Sequence, residues 1–124
     1  MKQPFYRWLT LVVLSLFMSA YTAPDAKSEF YELRTYYLNG PDGERVVDQY
    51  LEQALLPALH RQKLSRIGVF KPISNDTAAV KRIYVLIPFR KMEQFTTLEQ
   101  KLSRDAAYQQ AGQAYIMAAH NQSP

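Results

Sequence analysis

From position 30 onward the chain alternates between two apolar periods, which predict its elements. Phe30–Leu38 is rich in aromatic and β-favouring types and predicts a strand. The turn chemistry of Asn39-Gly40-Pro41-Asp42-Gly43 stops it. Over residues 44–64 apolar side chains fall at Val47, Leu51, Ala54, Leu55, Ala58 and Leu59, a helical spacing. Pro57 removes the amide that would bond the Gln53 carbonyl, so a kink is expected there. Residues 67–73 predict a second strand with a bulge at Gly68, and residues 74–77 a loop. The clearest strand is residues 82–89, where Ile83, Val85, Ile87 and Phe89 alternate and Pro88 marks the fraying end. Phe95, Leu98 and Leu102 open a second helix. Asp105 or Ser103 would cap its continuation through Tyr108, Ala111, Tyr115 and Ile116.

Strand, helix, strand, strand, helix is an α+β order, a split βαβ arrangement without a final strand. Right-handed crossover wiring puts both helices on one face of the sheet. That face is expected to take Tyr31, Leu33, Thr35 and Tyr37 from the first strand, and Ile83, Val85, Ile87 and Phe89 from the third. The other face would then carry Glu32, Arg34 and Tyr36, with Phe70, Tyr84, Leu86 and Arg90 nearby. Such a face is too aromatic for water and too charged for a dry core. It is expected to pack on another sheet around a partly polar cavity.

The first 23 residues follow a different pattern. Lys2 and Arg7 precede an apolar run of 11 residues from Trp8 to Met18, interrupted only by Thr10 and Ser15. Small residues follow at Ser19, Ala20, Thr22 and Ala23. Positive, apolar, then small is the order of a secretory signal peptide, and the run is far short of the ~20 residues a membrane-crossing helix needs. Cleavage after Ala20 and cleavage after Ala23 fit equally. The expected division is a signal at 1–23, a polar leader at 24–29, one domain at 30–120 and a tail at 121–124. The product is expected to be exported, periplasmic or secreted, with no stable membrane insertion once the signal is removed.

Composition adds limits to this picture. The 124 residues are 48% hydrophobic and 21% charged, which fits one small globular domain. There is no cysteine, which removes disulfides, thiolate metal sites and a cysteine nucleophile. An exported domain without staples must be held by its core. Setting aside Lys2 and Arg7 leaves 13 basic against 11 acidic side chains, a charge of +2. That balance does not point to nucleic acid as a partner.

The segment Phe30-Tyr31-Glu32-Leu33-Arg34-Thr35-Tyr36 resembles the opening strand of NIPSNAP domains. Leu55-Leu56-Pro57-Ala58-Leu59-His60, Ile67-Gly68-Val69-Phe70 and Tyr84-Val85-Leu86 resemble the segments that follow it. The match runs from about Phe30 to Tyr115, and order and spacing carry it more than any one motif. The resemblance implies a ferredoxin-like fold of the dimeric α/β-barrel type, in which two sheets face each other around a lumen. It implies no catalytic residues. The family's domain ends with a fourth strand after the second helix, so a homodimer or a tandem partner domain is the expected cover for the first strand.

Candidate chemistry is sparse. His60 and His120 have no Asp or Ser placed by local spacing to form a relay, and no His-x-His or Glu-x-x-His pair exists for a metal. With four glycines the chain has no phosphate loop. Asn75-Asp76-Thr77 and Asn121-Gln122-Ser123 match the glycosylation sequon. Glu32 and Arg34, two apart on a strand, point to one face and read either as a structural ion pair or as a ligand clamp. Tyr36, Phe70 and Tyr84 could stack on a flat ligand or pack an interface. The lumen-face candidates are therefore Glu32, Arg34, Tyr36, Phe70, Tyr84 and Arg90, with no catalytic residue, metal or cofactor expected. The expected role is self-association with binding of a small hydrophobic or aromatic molecule. Two alternatives are a cofactor-free monooxygenase of the dimeric α/β-barrel class and a fragment of a longer tandem protein. The haem-degrading variant of that class needs a Trp, and the sole one here is Trp8, inside the signal.

Overall fold

The computed structural model describes residues 29–121, so the expected signal, most of the leader and the end of the tail lie outside the described residues. Strand β1 is Phe30–Leu38. It is followed by helix α1, Gly43–Tyr50, a π-helical turn at Leu51–Leu55, and helix α2, Leu56–Arg61. Strand β2 covers Gly68–Phe70, a 3-10 turn covers Ile73–Asp76, and strand β3 covers Lys81–Phe89. Helices α3, Met92–Arg104, α4, Ala106–Ala111, and α5, Gln113–Asn121, follow among the described residues.

The fold is α+β, with a three-stranded antiparallel sheet in the order β1-β3-β2. Helices cover one face. Their apolar sides, Val47, Leu51, Ala54, Leu55, Ala58, Leu59, Leu98 and Leu102, meet Ile83, Val85, Ile87 and Phe89 of β3 in a single core. The alternation expected of β3 is what the structure has. Burying each of these Leu and Ile side chains contributes roughly 1.5–3 kcal/mol.

The long first helix differs from the expected form. Its disturbance falls one turn ahead of Pro57, where the Leu56 amide donates to the Leu51 carbonyl, an i to i−5 bond. A widened turn absorbs the missing proline amide and keeps Leu51, Ala54 and Leu55 buried. The helix ends in a Schellman cap: the Leu64 amide donates to the Leu59 carbonyl (3.1 Å) and the Lys63 amide to that of His60 (3.0 Å). Lys63 holds the left-handed position, φ 62°, that glycine usually takes. Leu64 and Leu59, the apolar pair of that motif, are both buried.

The strand expected at 67–73 is only three residues long, and Gly68 is no bulge. It pairs one-to-one with Leu86. A Cβ at Gly68 would stand 2.5 Å from the Phe70 ring, so the glycine instead leaves room for that ring to lie across it. Pro88 is accommodated in β3 because β2 pairs only as far as Leu86 at that end. The expected loop at 74–77 contains a 3-10 turn whose Asn75 clamps β3. Its Nδ2 donates to the Arg82 carbonyl (2.7 Å), and its Oδ1 accepts from the Arg82 amide (3.1 Å). Asn75 is buried, so this sequon presents no free amide in the fold. Of the two proposed caps, Asp105 serves: it accepts from the Tyr108 amide (3.0 Å) and starts α4. Ser103 instead donates to the Gln100 carbonyl.

Candidate functional site

The register of β1 on β3 decides which residues share a face. Residues opposite each other in an antiparallel pair project to the same side. Glu32 faces Ile87, Arg34 faces Val85 and Tyr36 faces Ile83, so these three lie with the core under the helices. Tyr31, Leu33, Thr35 and Tyr37 face Pro88, Leu86, Tyr84 and Arg82 on the opposite side. The expected face of β1 is thereby corrected. A one-residue offset moves every side chain of a strand to the other surface. Both sets are half apolar, and here Tyr36 and Leu38 are the buried ones.

The six candidates separate into three places. Phe70 and Tyr84 lie opposite each other on the face that, among the described residues, no helix covers. Glu32, Arg34 and Tyr36 are on the helix side. Arg90, just past β3, is exposed at the sheet end, where its backbone amide donates to Gln94 Oε1 (2.9 Å) at the start of α3.

On the helix side, Arg34 Nε donates to Glu32 Oε1 (2.7 Å) and Nη2 to Glu99 Oε1 of α3 (2.6 Å). Burial opposes the Arg34 cation, yet the Glu32 hydrogen bond and the nearby acidic charges outweigh it and hold its pKa above the ordinary value. Of the two readings for Glu32 and Arg34, the geometry is that of an internal ion pair. Tyr36 belongs to a cluster with Tyr50, Tyr108 and Tyr115. Tyr50 stacks on Tyr115 with centroids 4.2 Å apart, and Tyr36 tilts against both. Burial pushes the Tyr36 hydroxyl up to about 12 and raises those of Tyr50 and Tyr115 as well. Gly112 permits this packing, since a Cβ there would come 3.2 Å from Ala54 Cβ.

The uncovered face is the notable surface. It reads across the strands as Tyr31 beside Pro88, then Leu33, Leu86 and Gly68, then Thr35, Tyr84 and Phe70, then Tyr37 beside Arg82. Tyr31, Leu33, Tyr37 and Phe70 are 54–60% exposed. Apart from Arg82, whose guanidinium sits 5.3 Å from the Tyr37 ring centroid, the strand residues of this face carry no charge. A contiguous apolar surface of this kind marks a contact site. Tyr31, Leu33 and Tyr37 were missed as members of it. The signal that could have found them is the strict alternation of β3, which fixes the faces of any strand paired to it once the register is known.

Two shallow cavities flank the sheet ends. One, of about 260 Å3, lies among Tyr37, Asp42, Val46, Val47 and Tyr115. The other, of about 180 Å3, is lined by Glu29, Lys63, Arg66 and Arg90. In the second, Arg66 Nη2 donates to Glu29 Oε1 (2.7 Å). Neither adjoins a catalytic constellation. His60 is exposed at the end of α2, and the side chain of His120 lies outside the described set. Among the described residues no group of three His, Cys, Asp or Glu side chains could hold a metal ion. Among them, too, no helix is long and apolar enough to cross a membrane.

Comparison with known proteins adds no relative: no family model, no curated protein and no solved structure matches the chain.

Proposed function

We propose that this chain is an exported binding module of the NIPSNAP type, with a ferredoxin-like sheet of the dimeric α/β-barrel class. It acts by self-association through its uncovered sheet face and holds flat apolar molecules there, without catalysis. The observation that carries the reading is the uncharged, aromatic stripe of Leu33, Tyr84, Leu86 and Phe70, open to solvent on a nine-residue strand pair. The strand order and antiparallel pairing are compatible with that fold type, and the resemblance of residues 30–115 supports the family. The N-terminal charge and apolar pattern supports export.

The revised face changes the ligand class. With Glu32 and Arg34 committed to each other under the helices, the surface offers tyrosine hydroxyls, aromatic rings and one guanidinium. Flat hydrophobic molecules with few polar groups suit such a surface, and strongly charged ones do not. The test is a native mass spectrum of the wild-type chain beside Phe70→Ser and Tyr84→Ser. An assembly that retains small-molecule mass, with the variants giving a smaller assembly free of it, is the expected result. Association and retained mass indifferent to both substitutions would defeat the proposal.

A further inference from the structure

The two edges of the sheet are unlike. The β2 edge is three residues long and is followed closely by Pro72, a guarded ending. The β1 edge runs nine residues without a proline, a lysine or a bulge, pairing one-to-one with β3 from Phe30 to Leu38. Among the described residues β3 is its only strand neighbour. An edge of that length offers a row of backbone groups to another strand.

We propose that the edge of β1 docks a second copy of this chain, the two β1 strands running antiparallel with Leu33 on the two-fold axis. The three-stranded sheets would then join into one continuous sheet. The inference is independent of the face-to-face reading above.

Charge selects both the occupant and the register. A two-fold axis normal to the sheet keeps both helix layers on one side, which requires paired residues of equal parity. Near the middle of the strand the axis can then fall on Glu32, Leu33, Arg34 or Thr35. On Glu32 it sets two carboxylates opposite each other, and on Arg34 two guanidinium groups. On Leu33 it sets Glu32 opposite Arg34 of the partner subunit, twice. An axis on Thr35 sets Glu32 opposite Leu38 and Arg34 opposite Tyr36, with no opposite charges paired. Like charges directly opposite are disfavoured and opposite charges favoured, so the Leu33 register is preferred to the other three. Both side chains are already shielded, at 18% and 22% exposed, which limits solvent screening of the new pairs. On the other side of the sheet the same register brings the exposed Leu33 side chains together, at 60% exposure each. The strand is self-complementary.

The chain has no cysteine, so single-cysteine variants report the register directly. Directly opposite strand residues lie about 4.5–5.5 Å apart, within disulfide reach, whereas stacked sheets are about 10 Å apart and beyond it. Under mild oxidation Leu33→Cys is expected to form covalent dimers, while Thr35→Cys and Phe70→Cys stay monomeric on a denaturing gel. All three positions are exposed, so the core is not disturbed. In parallel, Glu32→Arg and Arg34→Glu should each weaken the dimer about tenfold or more. Their equimolar mixture should recover it as a heterodimer, and the swap Glu32→Arg/Arg34→Glu should dimerise alone. A monomeric wild type, absence of the Leu33→Cys cross-link, or a mixture that fails to recover association would overturn the proposal. A wild-type dimer without the Leu33→Cys cross-link would do so while leaving the face-to-face reading intact.

Discussion

The hydroxyl oxygens of Tyr50 and Tyr108 lie 2.8 Å apart, joined by a hydrogen bond inside the core between α1 and α4. Both side chains are buried, and among the described residues no buried side-chain nitrogen or oxygen lacks a partner. Each hydroxyl therefore makes the other tolerable in the apolar interior. Through its ring stacking on Tyr115 and tilting against Tyr36, the pair also ties α1 and α4 to α5 and β1. This polar contact joins segments 58 residues apart in sequence.

Removing one hydroxyl strands the other. Tyr50→Phe or Tyr108→Phe alone is expected to cost about 1–3 kcal/mol, and the double variant less than the sum of the two. Urea unfolding of the four proteins of the cycle gives the coupling. Strictly additive losses would show that the two hydroxyls act separately.

Alkaline pH should loosen the same cluster. Burial raises the Tyr36 pKa from 10.0 to about 12. Its neutral form is thus favoured in the fold, and the contribution is complete below pH 10 and lost as pH rises towards 12. The loss is on the order of 2 kcal/mol. Denaturant midpoints measured between pH 8 and 11.5 should fall for the wild type and fall less for Tyr36→Phe. Equal slopes would count against the assignment.

Asp105 caps α4 and also accepts two hydrogen bonds from the Arg61 guanidinium, at 2.7 and 2.9 Å. The Tyr108 backbone amide, and then Arg61, hold its carboxyl below the usual Asp range. Stability from this site is present above the ordinary Asp pKa and disappears as pH falls through the lowered one. Asp105→Ala should cost about 1–2 kcal/mol near neutrality, and Asp105→Asn, which keeps a capping oxygen, less. Thermal melts at pH 7 and pH 3 should show the gap between wild type and Asp105→Asn closing at the lower pH.

Lys63→Gly should stabilise the protein. The position has φ 62°, where a Cβ costs roughly 1–2 kcal/mol, partly offset by the extra freedom glycine brings to the unfolded chain. A net gain of about 0.5–1 kcal/mol in chemical denaturation is expected, with Lys63→Val moving the other way. A loss with glycine would mean that the lysine side chain holds the α2 cap in some further way.

Much of the architecture follows from local pattern. The alternation of Ile83, Val85, Ile87 and Phe89, the helical spacing from Val47 to Leu59, and the cap at Asp105 are each dictated by neighbours in sequence, and the fold has all three. Period and capping chemistry are properties of a few consecutive residues, so they survive without tertiary information. The face of β1 does not have that character. Phe-Tyr-Glu-Leu-Arg-Thr-Tyr-Tyr-Leu is half apolar on either side, and the more hydrophobic-looking set, Tyr31 and Leu33, is the exposed one.

The tertiary structure chose the other set for reasons that lie far along the chain. Tyr36 meets Tyr50 and Tyr115, and Glu99 reaches across from α3 to Arg34. Those partners sit 14 to 79 residues away from β1's own, and together they make a charged pair acceptable beside the core. Sequence periodicity by itself determined where β1, β3 and the main helical segments form and which face of β3 is dry, but not the extent of β2. Only the register of β1 against β3 decided which side of the sheet is left open, because side-chain direction in a strand has a period of two and a single step reverses it.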